Sequence, residues 1–168
     1  MRNNVDIRKV KIGDEKILAF LQTESWNKSF GTILSKEDLE IYTNKTKAEE
    51  MYTTLLKNRV GNGLILSVED TPHCMAYWDK SREEELSDYA ELICIHSLQD
   101  NWGKGYGSMM MNRVLKEIKE AGYRKVMLWV FEKNERARKF YEKYGFTSTD
   151  RKKEFIGAAE IMYSKELS

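Results

Sequence analysis

The stretch that decides the fold runs from Asn101 to Phe146 and reads NWGKGYGSMMMNRVLKEIKEAGYRKVMLWVFEKNERARKFYEKYGF. Gly103, Gly105 and Gly107 punctuate its start, with Lys104 and Tyr106 between them and Ser108 directly after. From about Ser108 to Ala121 the apolar residues Met111, Val114, Leu115 and Ile118 recur at helical spacing, and Gly122 supplies a C-terminal stop. Lys125 to Phe131 is a near-continuous apolar run, which predicts a strand buried on both faces. Asn134 then opens a short helix carrying Ala137, Phe140, Tyr141 and Tyr144, ended by Gly145. A glycine turn, a helix, a strand and a second helix in that order predict an α/β unit.

Working outward, Val5 to Val10 alternates loosely and reads as a first strand. Asp14 after Gly13 is placed to cap a helix whose buried stripe is Ile17, Leu18, Leu21 and Ser25. Ser35 with Asp38 imitates a capping box ahead of Leu39 and Tyr42, and Met51, Tyr52, Leu55 and Leu56 continue helical spacing to Asn58. Gly61 and Gly63 end that pattern. Leu64–Val68 and Met75–Trp78 then predict two strands joined by a turn over Asp70–His73. Ser81 to Asp88 is polar enough for an exposed connection.

Tyr89 to Ser97 predicts a further strand. Simple alternation puts Leu92, Cys94 and His96 on one face and Glu91, Ile93 and Ile95 on the other, unless a bulge intervenes. Strand-like segments around Phe146–Thr149 and Ala158–Tyr163 close the chain. The second is expected as an exposed edge that would permit a homodimer. The expectation is one α/β domain over residues 1–168, built on a single mixed, mostly antiparallel central sheet.

Twenty-eight basic against 27 acidic residues leave a net charge of +1, which argues against bulk-charge binding to nucleic acid or to anionic membranes. Cys74 and Cys94 cannot build a disulfide framework, and His73 and His96 have no helical pairing that suggests a metal site. No signal-like or membrane-spanning apolar stretch is expected, which favours the cytoplasm.

The glycine cluster is the first candidate for chemistry. Glycines allow close backbone approach, and free amides at a helix N-terminus bind phosphate oxygens. The run lacks the GxxxxGK[ST] of a phosphate-binding loop and does not fit the dinucleotide fingerprint, so by itself it reads equally as a tight turn.

Taken with Leu128–Phe146, the pairing resembles the GNAT family of acetyl-CoA-dependent N-acetyltransferases. The family's Q/R-x-x-G-x-G/A is matched by Trp102-Gly103-Lys104-Gly105-Tyr106-Gly107, with Trp102 replacing the usual Gln or Arg. Its Asn, Ala, Tyr and Gly-Phe signature is matched by Asn134, Ala137, Tyr141 and Gly145-Phe146, and Trp26 to Leu39 resembles an acceptor-side segment.

The resemblance implies the GNAT fold, with two splayed parallel central strands and helices on both faces. It implies acetyl-CoA as donor, held by Ile95, Ser97, the segment Trp102 to Ser108 (Gly103, Lys104, Gly105, Tyr106 and Gly107 included), Asn134 and Tyr141. Tyr141 is then the acid at the departing sulfur and Glu91 the proton acceptor, directly or through water; no metal is implied.

An amine of pKa about 10.4 costs about 4 kcal/mol to deprotonate at neutral pH, so some group must take its proton. The acceptor is expected to be a small-molecule amine or a protein amino group, met by Trp26, Phe30, Tyr77 and Trp78, with Glu83, Glu84, Glu85 and Asp88 completing an aromatic and acidic mouth for a cationic amine. The bland alternative puts the aromatics in the core and the acids on a solvated loop. Cys94 as a covalent acetyl carrier is disfavoured by its place on the Leu92 face, and His96 reads as structural. A non-catalytic acyl-CoA-binding or regulatory module of the same fold is the alternative from another class.

Overall fold

The computed structural model describes residues 4–98 and 103–168. The chain runs β1 (Val5–Lys9), α1 (Glu15–Ser29), α2 (Lys36–Tyr42), α3 (Lys45–Lys57), β2 (Asn62–Val68), β3 (Thr71–Lys80) and β4 (Ala90–Ser97). It continues through α4 (Tyr106–Glu120), β5 (Lys125–Phe131), α5 (Glu135–Lys143), β6 (Thr147–Phe155) and β7 (Ala158–Glu166). A short 3₁₀ turn, Glu84–Leu86, sits in the connection before β4.

The strands form one seven-stranded sheet in the order β1-β2-β3-β4-β5-β7-β6. Every neighbouring pair is antiparallel except β4 and β5. Alternation in the strands supplies two apolar faces. Leu64, Leu66, Cys74, Ala76, Trp78 and Leu92 pack with Met110, Met111, Val114 and Ile118 of α4 and with Tyr141 of α5. On the other face Ile65, Met75 and Tyr77 pack with Leu18 and Leu21 of α1 and Tyr52 and Leu56 of α3. The helices therefore cover both faces, as expected.

Local chemistry explains most boundaries. Ser35 Oγ accepts from the Asp38 amide at 3.1 Å and donates to the Asp38 carboxylate at 2.9 Å, so the imitation capping box works. Several expectations are corrected. Asp14 opens α1 without capping it by a side-chain bond. Its carboxylate instead accepts from the Lys11 amide at 2.8 Å and from Arg8 at 2.8 and 2.9 Å, because a buried charge needs a partner.

Helix α4 starts two residues earlier than its periodicity suggests, since Gly105 adopts φ +85° and turns the chain directly into it. The β2–β3 turn is centred on Glu69 and Asp70, both at positive φ, which leaves Thr71 to His73 in β3. The expected edge strand Ala158–Tyr163 lies inside the sheet, between β5 and β6, so the C-terminal edge is β6.

Candidate active site

The parallel ladder between β4 and β5 holds only at its start, where Ala90 pairs with Val126 and Glu91 with Met127. Both strands continue, to Ser97 and Phe131, but they separate. Beyond Glu91 the gap opens into a cleft of about 1020 Å³, lined from both faces of the sheet.

Backbone direction in β4 follows from its outer pairing. The Leu98 amide donates to the His73 carbonyl at 3.1 Å, so alternation turns the peptide groups of Cys94 and His96 toward β3 and those of Ile95 and Ser97 toward the gap.

A bulge decides which side chains face where. Tyr77 pairs with Cys94 but Trp78 pairs with Leu92, so Ile93 is an inserted residue. The simple alternation is corrected beyond Leu92. Cys94 and His96 leave the Leu92 face and join Glu91 and Ile93 in the cleft, while Ile95 packs toward α4. His96 accepts a 3.4 Å bond from Trp26 Nε1 on its Nε2, and burial lowers its pKa from 6.5 to about 4, so it is the neutral imidazole at physiological pH. Burial pushes the Cys94 thiol up to about 12, which keeps it protonated and non-nucleophilic although it faces the cleft.

Glu91 is 1% exposed on the cleft floor. Its Oε1 accepts from the amide and Nε of Arg82, both at 3.1 Å, and its Oε2 from an Arg82 guanidinium nitrogen at 2.6 Å. Arg82 belongs to the polar Ser81–Asp88 connection, whose acids, not this arginine, are the expected contributors to the acceptor mouth. Glu83 of the same segment accepts from Trp129 Nε1 at 3.2 Å and lies 3.6 Å from Lys153 Nζ.

On the opposite wall, the Asn134 side chain caps α5 by accepting from the Ala137 amide at 3.2 Å, which leaves its NH₂ as the group for a ligand. About two turns further on, Tyr141 is buried between Phe140 and Phe146, both in edge contact, and lines the cleft. Burial, reinforced by the nearby Cys94, raises its phenol well above the ordinary value, so the proton stays on. Gly107 reaches the cleft at the N-terminal end of α4. No side chain caps that helix, so its first amides are not used by a cap.

The acceptor side is ringed by aromatics. Trp26 meets Phe30 (5.0 Å between centroids), Phe30 meets Phe131 (5.0 Å), and Phe131 stacks on Phe155 (6.3 Å). Phe155 meets Tyr42 (5.9 Å) and Tyr42 stacks on Trp26 (6.1 Å), which closes a circuit of five rings from α1 and the residue after it, α2, β5 and β6. All five line the cleft.

A family model described as the acetyltransferase (GNAT) family matches residues 22–146. The chain belongs to the GNAT acetyltransferase family. PaiA N-acetyltransferase from Thermoplasma acidophilum, solved in complex with coenzyme A, matches with a TM-score of 0.82 at 20% identity, over 97% of this chain and 99% of that one. YncA from Salmonella typhimurium, solved with its cofactor acetyl-CoA, matches at 0.73 and 13% identity over 98% and 94%. An N-acetyltransferase from Staphylococcus aureus Mu50 matches at 0.70 and 18% identity over 98% and 99%. At these identities the likeness is one of fold.

In this GNAT domain the cleft brings together Trp26, Phe30, Tyr77, Glu91, Ile95, Ser97, Gly107, Asn134 and Tyr141 of the expected residues. Trp78 is placed elsewhere. It faces α4, where its Nε1 donates to Glu117 at 3.1 Å and its ring meets Tyr123 edge-on, so its expected acceptor contact is corrected to a core role. Tyr106 is likewise buried in the α4-side core. Gly103 and Gly105 hold left-handed conformations, while Lys104 is exposed. The expectation for Trp102 lies outside the described residues. Arg82, Tyr42, Phe131, Phe155 and Glu160 line the cleft without having been singled out.

Proposed function

We propose that this protein transfers the acetyl group of acetyl-CoA to a primary amine by direct attack in a ternary complex. The observation that carries the reading is the phenol of Tyr141, buried in the wall of a gap that two parallel strands open beyond Glu91. The residues present fit such a donor. The peptide groups of Ile95 and Ser97 face the gap, the uncapped amides at the start of α4 suit a diphosphate, and Asn134 lines the same cleft. Gly103 to Ser108 would hold the phosphates through backbone amides, with Lys104 adding a cation. When bound, acetyl-CoA supplies the activated thioester.

The chain's own groups then have to manage two protons. Tyr141 donates toward the departing sulfur; its raised pKa keeps that proton in place at every physiological pH. Glu91 receives the amine's proton by way of water. Arg82 occupies three of its about four acceptor positions, so one is left for that water. Neutral His96 holds Trp26 at the acceptor mouth rather than acting as base.

The test is thiol release from acetyl-CoA across a panel of amines, for wild type and Tyr141→Phe. The reading requires turnover by wild type and a fall in kcat of about a hundredfold or more in Tyr141→Phe, with coenzyme A affinity retained. Coenzyme A binding without turnover of any amine would instead establish a non-catalytic acyl-CoA-binding module.

A further inference from the structure

Among the described residues, Glu160 is the carboxylate of the charged cluster at the acceptor wall that no cation touches, although Lys153 stands opposite it across the β6–β7 ladder and attracts it, as does Arg82. The cluster contains Glu83, Glu91 and Glu160 with Arg82 and Lys153. Each cation is already held by another acid: Arg82 sits on Glu91 at 2.6 Å and Lys153 on Glu83 at 3.6 Å. Among the described residues the Glu160 side chain has no hydrogen bond or ion pair. Three acids against two bases leave an excess negative charge, and it resides on a half-buried side chain lining the cleft.

Its surroundings suit a cation. Glu160 is the register partner of Phe131 across the β5–β7 ladder, so it stands at the edge of the five-ring circuit. Faces of aromatic rings attract positive charge, and a carboxylate behind them adds a hydrogen-bond acceptor. The cleft is also electrically divided. Arg136, Lys139 and Lys143 line its α5 end, whereas the excess acid lies at the β7 end. An anionic donor and a cationic acceptor would each be drawn to its own end.

Resting on the N-acetyltransferase reading above, we propose that Glu160 is a specificity-determining residue that binds a positively charged group of the acceptor, distinct from the amine that is acetylated. The reacting amine must lose its proton, so it cannot remain the ammonium that Glu160 holds. The acceptor is therefore a molecule with at least two basic groups. Burial raises the Glu160 carboxyl above its ordinary range, with Lys153 and Arg82 opposing the shift and Glu91 adding to it; an arriving ammonium restores the ionised form.

The experiment compares wild type with Glu160→Gln on linear diamines and the amino alcohols of matched length, alongside calorimetric titration of the same compounds into the coenzyme A-saturated protein. In wild type the diamines are favoured. Glu160→Gln lowers kcat/KM for the diamines by about ten- to a hundredfold, chiefly through KM, weakens their binding by a similar factor and leaves the amino alcohols unchanged. Equal effects on diamines and amino alcohols, or no effect on either, overturn the assignment of Glu160 while leaving the transferase reading intact. Absence of turnover of every amine by wild type overturns that reading, and this inference with it. Unchanged amino alcohol turnover in the variant shows that it is folded.

Discussion

Arg82 closes on both carboxylate oxygens of Glu91, at 3.1 and 2.6 Å, and adds its own backbone amide at 3.1 Å. The carboxylate side chain is 2% exposed and the guanidinium 62%, so a residue from a solvent-facing loop neutralises a charge on the cleft floor. Removing Arg82 leaves a buried acceptor without its charged donor, whereas removing both charges does not. Arg82→Met should destabilise the fold by about 1–3 kcal/mol. The double variant Arg82→Met/Glu91→Gln should recover part of that loss. Urea denaturation of the three proteins checks this, and an unchanged midpoint in Arg82→Met would contradict it.

His96 makes stability depend on pH. Its folded pKa is depressed from 6.5 to about 4, so between those values the unfolded chain binds a proton that the folded chain does not. Stability therefore falls as pH is lowered through that window, by roughly 2–3 kcal/mol at its end. Between pH 6.5 and about 5, before most carboxylates titrate, wild type should lose melting temperature faster than His96→Gln. Parallel slopes for the two proteins would be the contrary result.

Gly105 turns into α4 at φ +85°, and a Cβ there would meet nothing within 4 Å. The cost of Gly105→Ala is thus backbone strain alone, about 1–2 kcal/mol. Because the residue aims the first amides of α4, the same change should weaken coenzyme A binding more than it lowers stability. Calorimetric titration beside thermal denaturation separates the two effects.

Trp26 on α1 and Trp78 on β3 lie on opposite sides of the sheet, one at the cleft and one against α4. Trp26→Ala opens the aromatic circuit and should raise KM for the amine severalfold. Trp78→Phe breaks the bond to Glu117 and should cost about 1 kcal/mol of stability while leaving amine KM unchanged. Steady-state kinetics with a melting curve for each variant tests the pair.

How much of this was legible depended on how local each cause is. The α4 stripe, the β5 apolar run and the Asn134-to-Tyr141 spacing are set by neighbours three and four residues apart, and a linear reading reaches them. The inserted residue Ile93 is not of that kind. It exists because β4 must match β3 on both sides of Tyr77 and Trp78, and it reverses the facing of Cys94 and His96. Arg82 is illegible for another reason: a charged residue in a polar loop looks the same whether water or a buried acid is its partner.

Periodicity, glycine placement and capping residues carried the order of helices and strands, the glycine turn and the family, because these are short-range properties written directly in residue spacing. Register, by contrast, is a relation between strands distant in the chain. Only folding could bring Trp26, Tyr42, Phe131 and Phe155 into one circuit, enclose β7 between β5 and β6, and set Glu160 at the cleft wall with its neighbouring cations bound to other acids. A one-residue slip turns a side chain to the other face of a sheet, so the chemistry of the cleft was decided by tertiary packing.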